Sequence, residues 1–331
     1  MKIINNNLFK AIFGTSVSIG CFIIFFTKIE DFNLLKDTIF SVNLFVIFAG
    51  FAVYFLSLYF RTLRWSLIFE NNIKIKFSSL TRIVISGYMF NNIFPARLGE
   101  IARIYHFNLV KKIDKSYLFG TILVERITDV FALFVFIVIG IFFIPSDLFI
   151  NLSIELGASI NLIYFFLYSL GFSIFLFIFL QLEKVRNIFL KLIPKFSFFN
   201  KKIDSIINSF FRGVFTLEKN RLFNILILAI IIWIIEFSMF YIVETQLNLN
   251  LNNTFLAILF FGVFANLSGI IPSTSGGWGP FELIGTIVLV SFGADREIAA
   301  AFTIIVHLIL WLPISIIGLF CFIFDLRNKR I

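Results

Sequence analysis

Apolar positions fill most of this chain in blocks long enough to leave water altogether. A membrane-crossing helix needs about 20 consecutive, mainly apolar residues. Six blocks meet that need, at about 8–27, 42–60, 118–144, 160–181, 222–247 and 298–324. Three more are shorter or broken, at about 79–94, 254–271 and 280–293. The pattern predicts an all-α, polytopic membrane protein forming a single integral membrane domain over 1–331, with no soluble catalytic domain.

Charge decides how the short blocks are used. Basic residues gather in 61–82, 97–115, 182–221 and the two ends, which together hold 24 of the 28 Lys and Arg. Loops 145–159 and 245–253 hold none. Basic loops stay on the cytoplasmic side, so both termini are expected there, in a bacterial-type plasma (inner) membrane. A full crossing at 79–94 would strand one basic cluster outside. A re-entrant hairpin keeps both inside. The same bookkeeping at 254–293 favours a dip from the outer face, since 280–293 is short for a crossing.

Two halves then emerge, about 8–144 and 160–325, with the same order of spans and one broken segment each but opposite orientation. Broken hydrophobic segments at matching positions of inverted halves are the best sequence pointer to a transporter's binding site. Asn92, Pro95, Gly99 and Glu100 correspond loosely to Asn266, Pro272, Gly279 and Glu282. The connector 182–221 carries Ile203, Ile206, Ile207, Phe210, Phe211 and Val214 at helical spacing. It reads as interfacial helix lying on the anionic inner leaflet. The apolar run 8–26 lacks a small-residue cleavage site after it and reads as a retained first span.

Composition agrees. Hydrophobic residues make up 60% and charged residues 14%, outside the range of soluble domains. The 50 Phe, with abundant Ile, Asn and Lys, read as AT-rich coding rather than aromatic function. Cys21 and Cys321 lie at opposite ends, and the chain has two His. Neither a disulfide framework nor a metal site is expected.

Three clusters carry chemistry. In "NNIFPARLGEIAR" (91–103), Pro95 ends the preceding helix and Gly99 permits a close approach. Irregular backbone at membrane depth survives only inside protein or along a wet cavity. Arg97 and Arg103 offer forked donors suited to phosphate, and Glu100 can pair with an Arg or meet a cationic headgroup. In "ERITD", Glu125 and Asp129 share a helix face and Arg126 can pair with Asp129. In "IPSTSGGWGPFE", Gly276, Gly277 and Gly279 free backbone amides beside a helix start near Pro280, an anion-ready concavity. Glu282 falls in that helix's first turn, where a negative charge is favoured, or serves as a proton or headgroup ligand. Glu236, deep in an apolar run, is a proton site or an interhelical hydrogen-bond partner. His307 reads as a satisfied interhelical histidine in preference to a proton relay, and Arg64-Trp65 as an interfacial anchor.

"RW" at 64–65, "NNIFPARLGEIAR", "ERITD" and "PSTSGGWGPFE" at 272–282 stand in the order seen in the lysylphosphatidylglycerol synthase transmembrane family. The chain resembles that flippase-like family over about residues 10 to 325. The resemblance implies a polytopic membrane protein that moves lipids or lipid-linked sugars between leaflets. It implies functional positions at Asn92, Pro95, Arg97, Gly99, Glu100, Arg103, Glu125, Arg126, Asp129, Gly277, Gly279 and Glu282. The synthases carry a soluble aminoacyl-transferase domain on the C-terminal side. This sequence stops at Ile331, so their synthase activity is not expected here.

The reading is a lipid flippase working by alternating access on an anionic phospholipid or a polyprenyl-phosphate lipid. No catalytic residue and no cofactor is expected, and no nucleotide-binding loop is present. No nucleic-acid partner is expected. A homodimer, or a glycosyltransferase or aminoacyl-transferase partner, is compatible with it. The alternatives are a membrane-embedded headgroup transferase using Glu100, Glu125 and Asp129, and a scaffold for lipid glycosylation or aminoacylation enzymes.

Overall fold

A computed structural model describes residues 2–71, 73–94, 99–157, 201–215, 219–271 and 275–328, with isolated helical positions between 164 and 175. Side chains are described from Phe13 onward. The described residues are helical throughout, without a strand. Predicted span 160–181, the stretch 182–200, and Pro95, Arg97 and Pro272 lie outside them or almost so.

The helices are α1 (Lys2–Thr27), α2 (Phe32–Phe40), α3 (Leu44–Ile68), α4 (Phe77–Ile93), α5 (Gly99–Lys111), α6 (Lys115–Phe143), α7 (Ser146–Glu155), α8 (Lys201–Phe215), α9 (Lys219–Leu247), α10 (Thr254–Leu267), α11 (Pro280–Ser291) and α12 (Arg296–Arg327). Their starts follow local chemistry. Asp31, Asn43, Asp114, Asn253 and Asp295 each accept an amide from the first turn they precede, satisfying donors that the helix leaves open. Pro280 opens α11, where its missing N–H is no loss.

Helices α3, α6, α9 and α12 are long and apolar enough to cross a membrane. Between 28% and 39% of the most apolar window of each is buried, so most of that apolar surface faces outward and needs an apolar solvent. Phe142, Phe40 and Phe45 are at least three-quarters exposed. α1 turns through 104° into α2. Three helices fall where the sequence reading has loops: α2, α5 within the basic stretch 97–115, and α7 within 145–159.

Side-chain contacts fix the directions. α3 and α9 run antiparallel along each other. Arg221 at the start of α9 donates to Phe69 O beyond the end of α3 (3.0 Å), while Gln246 near its end accepts from Asn43 N (3.0 Å). α4 and α5 form a hairpin. Its open ends lie beside the end of α12, where Arg82 and His106 both meet Asp325. α10 and α11 form a second hairpin, its mouth tied where Asn252 N donates to Phe292 O (2.9 Å). It opens at the other end of the bundle, beside the start of α12. α5, with 13 residues, is about 20 Å long, and α11, with 12, about 18 Å. Both fall short of the ~30 Å hydrocarbon core. α4 packs along α12, and α10 packs on α6 as well as on α11.

Amphipathic α8 docks on the start of α6 at the end where α3 finishes. Gly213 and Gly120 let the backbones touch: a Cβ on Gly213 would stand 2.2 Å from Tyr117 O. Arg212 forks onto Glu70 (3.1 and 2.8 Å), and Ser209 Oγ donates to Asp114 (2.7 Å). Partial burial works against the Asp114 carboxylate, yet Ser209 and the amides of Tyr117 and Ser116 outweigh it and hold its pKa below the usual range. Ile206 remains 48% exposed, so only part of the apolar face is used within the bundle.

Candidate functional site

The tips of both hairpins meet across a cavity of about 590 Å³ at the middle of the four long helices. Asn91, Asn92 and Glu100 come from the first hairpin, and Asn266, Ser268, Gly276 and Gly277 from the second. Arg61, Arg126, Asp129, Glu236 and His307 complete the polar lining. Asn92 ties the first tip to α12. Its Nδ2 donates to Trp311 O and to Ser315 Oγ (both 3.0 Å), and its carbonyl accepts from Trp311 Nε1 (3.3 Å).

One wall is a network of four arginines and four carboxylates. Arg103 clamps both oxygens of Glu125 (3.2 and 2.6 Å) with its guanidinium 4.0 Å over the Trp65 ring. Arg64 donates to Asp129 (2.7 Å). Arg61 lies 2.6 Å from Glu236 and 3.5 Å from Asp129. Arg126 meets Glu125, Asp129 (3.4 Å) and Glu100 (3.4 Å). Formal charges cancel, as charges kept out of water require. The side chains of Arg126 and Glu100 stay 28% and 25% exposed, whereas those of Arg64, Arg103 and Glu125 are buried. Arg126 is thus the most open to the cavity of the four arginines, with Arg61 beneath the rings of Tyr88 and Trp233.

The second tip is built differently. Gly276, Gly277 and Gly279 all hold positive φ, at 77°, 82° and 100°, which L side chains resist. They turn the chain so that Gly279 N donates to Glu282 Oε2 (2.7 Å). Glu282 Oε1 meets His307 Nδ1, and His307 Nε2 faces Gly276 O (3.0 Å). Trp278 stacks on the imidazole with centroids 4.2 Å apart.

The structure brings most of the predicted residues together and changes several of their partners. Arg126 and Asp129 pair, and Asn92, Gly99, Glu100, Arg103, Glu125, Arg126, Asp129, Gly277, Gly279 and Glu282 all belong to the cavity wall or the layer that supports it. Arg103 pairs with Glu125 on α6, not with Glu100 one turn back. At the start of α11 the Gly279 N–H is not open to an outside anion, because Glu282 already takes it. Glu236 is an interhelical partner: its Oε1 accepts from Ser57 Oγ (2.9 Å) and from Arg61 (3.1 and 2.6 Å). Arg64-Trp65 is not an interfacial anchor. Both residues are fully buried, and Trp65 Nε1 donates to Thr121 Oγ1 (3.2 Å). The reason is that α3 runs on to Ile68, eight residues beyond the expected end at 60.

Arg61 and Arg64 fall in the basic stretch 61–82 of the sequence reading, past the expected end of the second span. Their signal was their spacing of three, which puts both on one helix face. A nucleophile–base arrangement was also unforeseen. Ser86 Oγ lies 2.7 Å from His106 Nδ1, and His106 Nε2 3.2 Å from Asp325. All three are buried away from the cavity lining, so they serve to join the open end of the first hairpin to α12. Cys21 and Cys321 are free thiols.

The sequence profile described as the lysylphosphatidylglycerol synthase TM region matches residues 11–318. The chain belongs to this family. It is 29% identical to a UPF0104 membrane protein of Methanocaldococcus jannaschii over 72% of this chain and 94% of that one. A UPF0104 membrane protein of Pyrococcus horikoshii is 26% identical over 84% and 86%. The family match and the outward apolar helices together make this a multi-pass membrane protein.

Proposed function

We propose that the chain moves a phosphate-bearing lipid headgroup across the plasma membrane through the central cavity, leaving the acyl tails in the bilayer. The observation that carries this reading is the cavity itself. It lies at the middle of the long helices, is closed by two opposed hairpin tips, and exposes Arg126 beside Glu100. Arg126 suits a phosphate because its guanidinium forks onto two oxygens. Glu125 stays behind to hold it, while Glu100 can leave it for a cationic group on the same headgroup. Either an anionic phospholipid or a polyprenyl-phosphate lipid supplies this chemistry.

Each hairpin opens to its own end of the bundle and packs on a long helix of the other half, as re-entrant elements of an inverted repeat would. Arg126 lies 11 residues after the first residue of α6, and His307 lies 11 residues after the first residue of α12. Each meets the glutamate that opens the preceding short helix: Glu100 for Arg126 and Glu282 for His307. Rocking of one half on the other would then expose the cavity to each face in turn. The basic end of the bundle faces the cytoplasm under the positive-inside rule, with both termini there. No bond in the headgroup is broken in this reading.

The test is reconstitution into liposomes with fluorescent phospholipids and a fluorescent polyprenyl phosphate, following their access to a membrane-impermeant quencher. Wild type is expected to translocate at least one of them, and Arg126→Gln to lose most of that rate. Equal rates in protein-free, wild-type and Arg126→Gln vesicles would remove the basis of the proposal.

A further inference from the structure

The two hairpin glutamates have unlike partners. Glu100 meets an arginine, which never gives up its proton in a protein. Glu282 meets a histidine, whose second ring proton can be taken up or released. The hydrogen-bond inventory around His307 decides what that exchange does. Gly276 O can only accept, so His307 Nε2 must carry a hydrogen to bond it. Glu282 Oε2 is already engaged with Gly279 N–H. Oε1 faces His307 Nδ1, and one proton between them, on either atom, completes every bond. The dyad is then neutral as a pair.

Take that proton away and the arrangement fails. The imidazole has one N–H for two acceptors, the Glu282 carboxylate and the Gly276 carbonyl. The charged acceptor holds it more strongly, so Gly276 O is left facing a lone pair. The site also acquires a net negative charge. Glu282 is fully buried and His307 is 4% exposed, and an uncompensated charge there is driven toward water or a cation. The structure offers both in one direction, because His307 and Gly276 line the cavity.

We propose that Glu282 and His307 form a single-proton binding site that fastens the 275–279 turn to α12 when loaded and frees it toward the cavity when empty. The coupling of this site to transport rests on the headgroup-translocation reading above. The glycine backbone at 276 and 277 supplies the freedom to move. Ser18 Oγ, donating to Trp278 O (2.8 Å), anchors the far side of the turn to α1. Few other titratable groups face the dyad among the described residues. Cys21 of α1 stands beside Gly279. The tip of α4 presents the neutral Asn92, and α10 the neutral Asn266. Across the cavity are Tyr54, Arg61, Tyr88, Glu100, Arg126, Asp129 and Glu236. Headgroup binding at Arg126 and proton binding at His307 therefore share one space and influence each other by charge.

Trp278 reports on the site directly, since an imidazolium stacked on an indole quenches it more than neutral imidazole does. Tryptophan emission of the protein in lipid nanodiscs is expected to change with pH in a single-proton step. His307→Gln should abolish the step. Trp278→Phe, which keeps the dyad, should remove the reporter and the step with it. A wild type without a step, or the same step in His307→Gln, overturns the proton site. In liposomes, each unit of imposed pH gradient should bias the steady distribution of a translocated fluorescent phospholipid by up to about tenfold for one coupled proton. Translocation indifferent to the gradient would overturn the coupling and leave the cavity reading standing. A fluorescence step with no translocation of any lipid would sink the translocation reading and leave the proton site.

Discussion

A Cβ on Gly99 would stand 2.2 Å from Asn91 N and 2.6 Å from Gly87 O, both backbone atoms that cannot step aside. Gly99→Ala should therefore push the two helices of the first hairpin apart and destabilise the protein by about 1–3 kcal/mol, as overpacking does. Thermal unfolding in detergent would measure it, and an unchanged melting temperature would contradict the close crossing. The Arg103–Glu125 clamp makes a different demand. Removing one partner leaves a buried charge in a network whose formal charges cancel, at a cost of about 3–5 kcal/mol. Arg103→Met should thus be strongly destabilising, and Arg103→Met with Glu125→Met should recover a good part of the loss. A double variant as unstable as the sum of the two singles would show that the residues do not act as a pair.

At the scale of elements, the close approach of α8 to α6 depends on two glycines. Gly213→Leu would set a side chain against Tyr117 O and lift α8 from the bundle. Protease cleavage between 201 and 221 is expected to quicken, while the long helices stay folded by circular dichroism. Cleavage at the wild-type rate would mean that α8 is held by its polar contacts to Glu70 and Asp114. These contacts were not legible in the sequence, where α8 looked like a helix resting on lipid. Amphipathic spacing fixes which face is apolar but not what covers it. The same limit applies to α3. Its apolar run ends near residue 60, yet the helix continues because Arg61 and Arg64 find carboxylates on α6 and α9. Hydropathy counts a charge as a boundary, and a paired charge is not one.

At the scale of the whole molecule, the hairpins make a prediction about sidedness. Each opens at one end of the bundle, so positions at the two mouths of one hairpin must label from the same face. Cysteines placed singly at Lys76 and Lys112 should react with an impermeant reagent from the cytoplasmic face, and those at Asn250 and Asp295 from the opposite face, in a background lacking Cys21 and Cys321. Labelling of Lys76 and Lys112 from opposite faces would overturn the re-entrant reading of α4–α5. Of the first hairpin only α4 was visible, as the short apolar block 79–94 between two basic clusters, because the charge rule constrains where loops can lie; α5 fell inside the basic stretch 97–115.

The sequence by itself determined the solvent, the helical class and the family, since hydropathy, length and motif order are properties of the chain. It also placed both broken segments and most of the polar residues that line the cavity. Tertiary structure alone decided the partners. Arg103 turns to Glu125, Arg126 bridges to Glu100, Arg61 and Arg64 join from a third helix, and Glu282 reaches His307 across the second tip. Those choices depend on which helices pack side by side in three dimensions. Where charges lie out of water, the neighbour that neutralises each one decides whether it is a wall, a ligand site or a place for a proton.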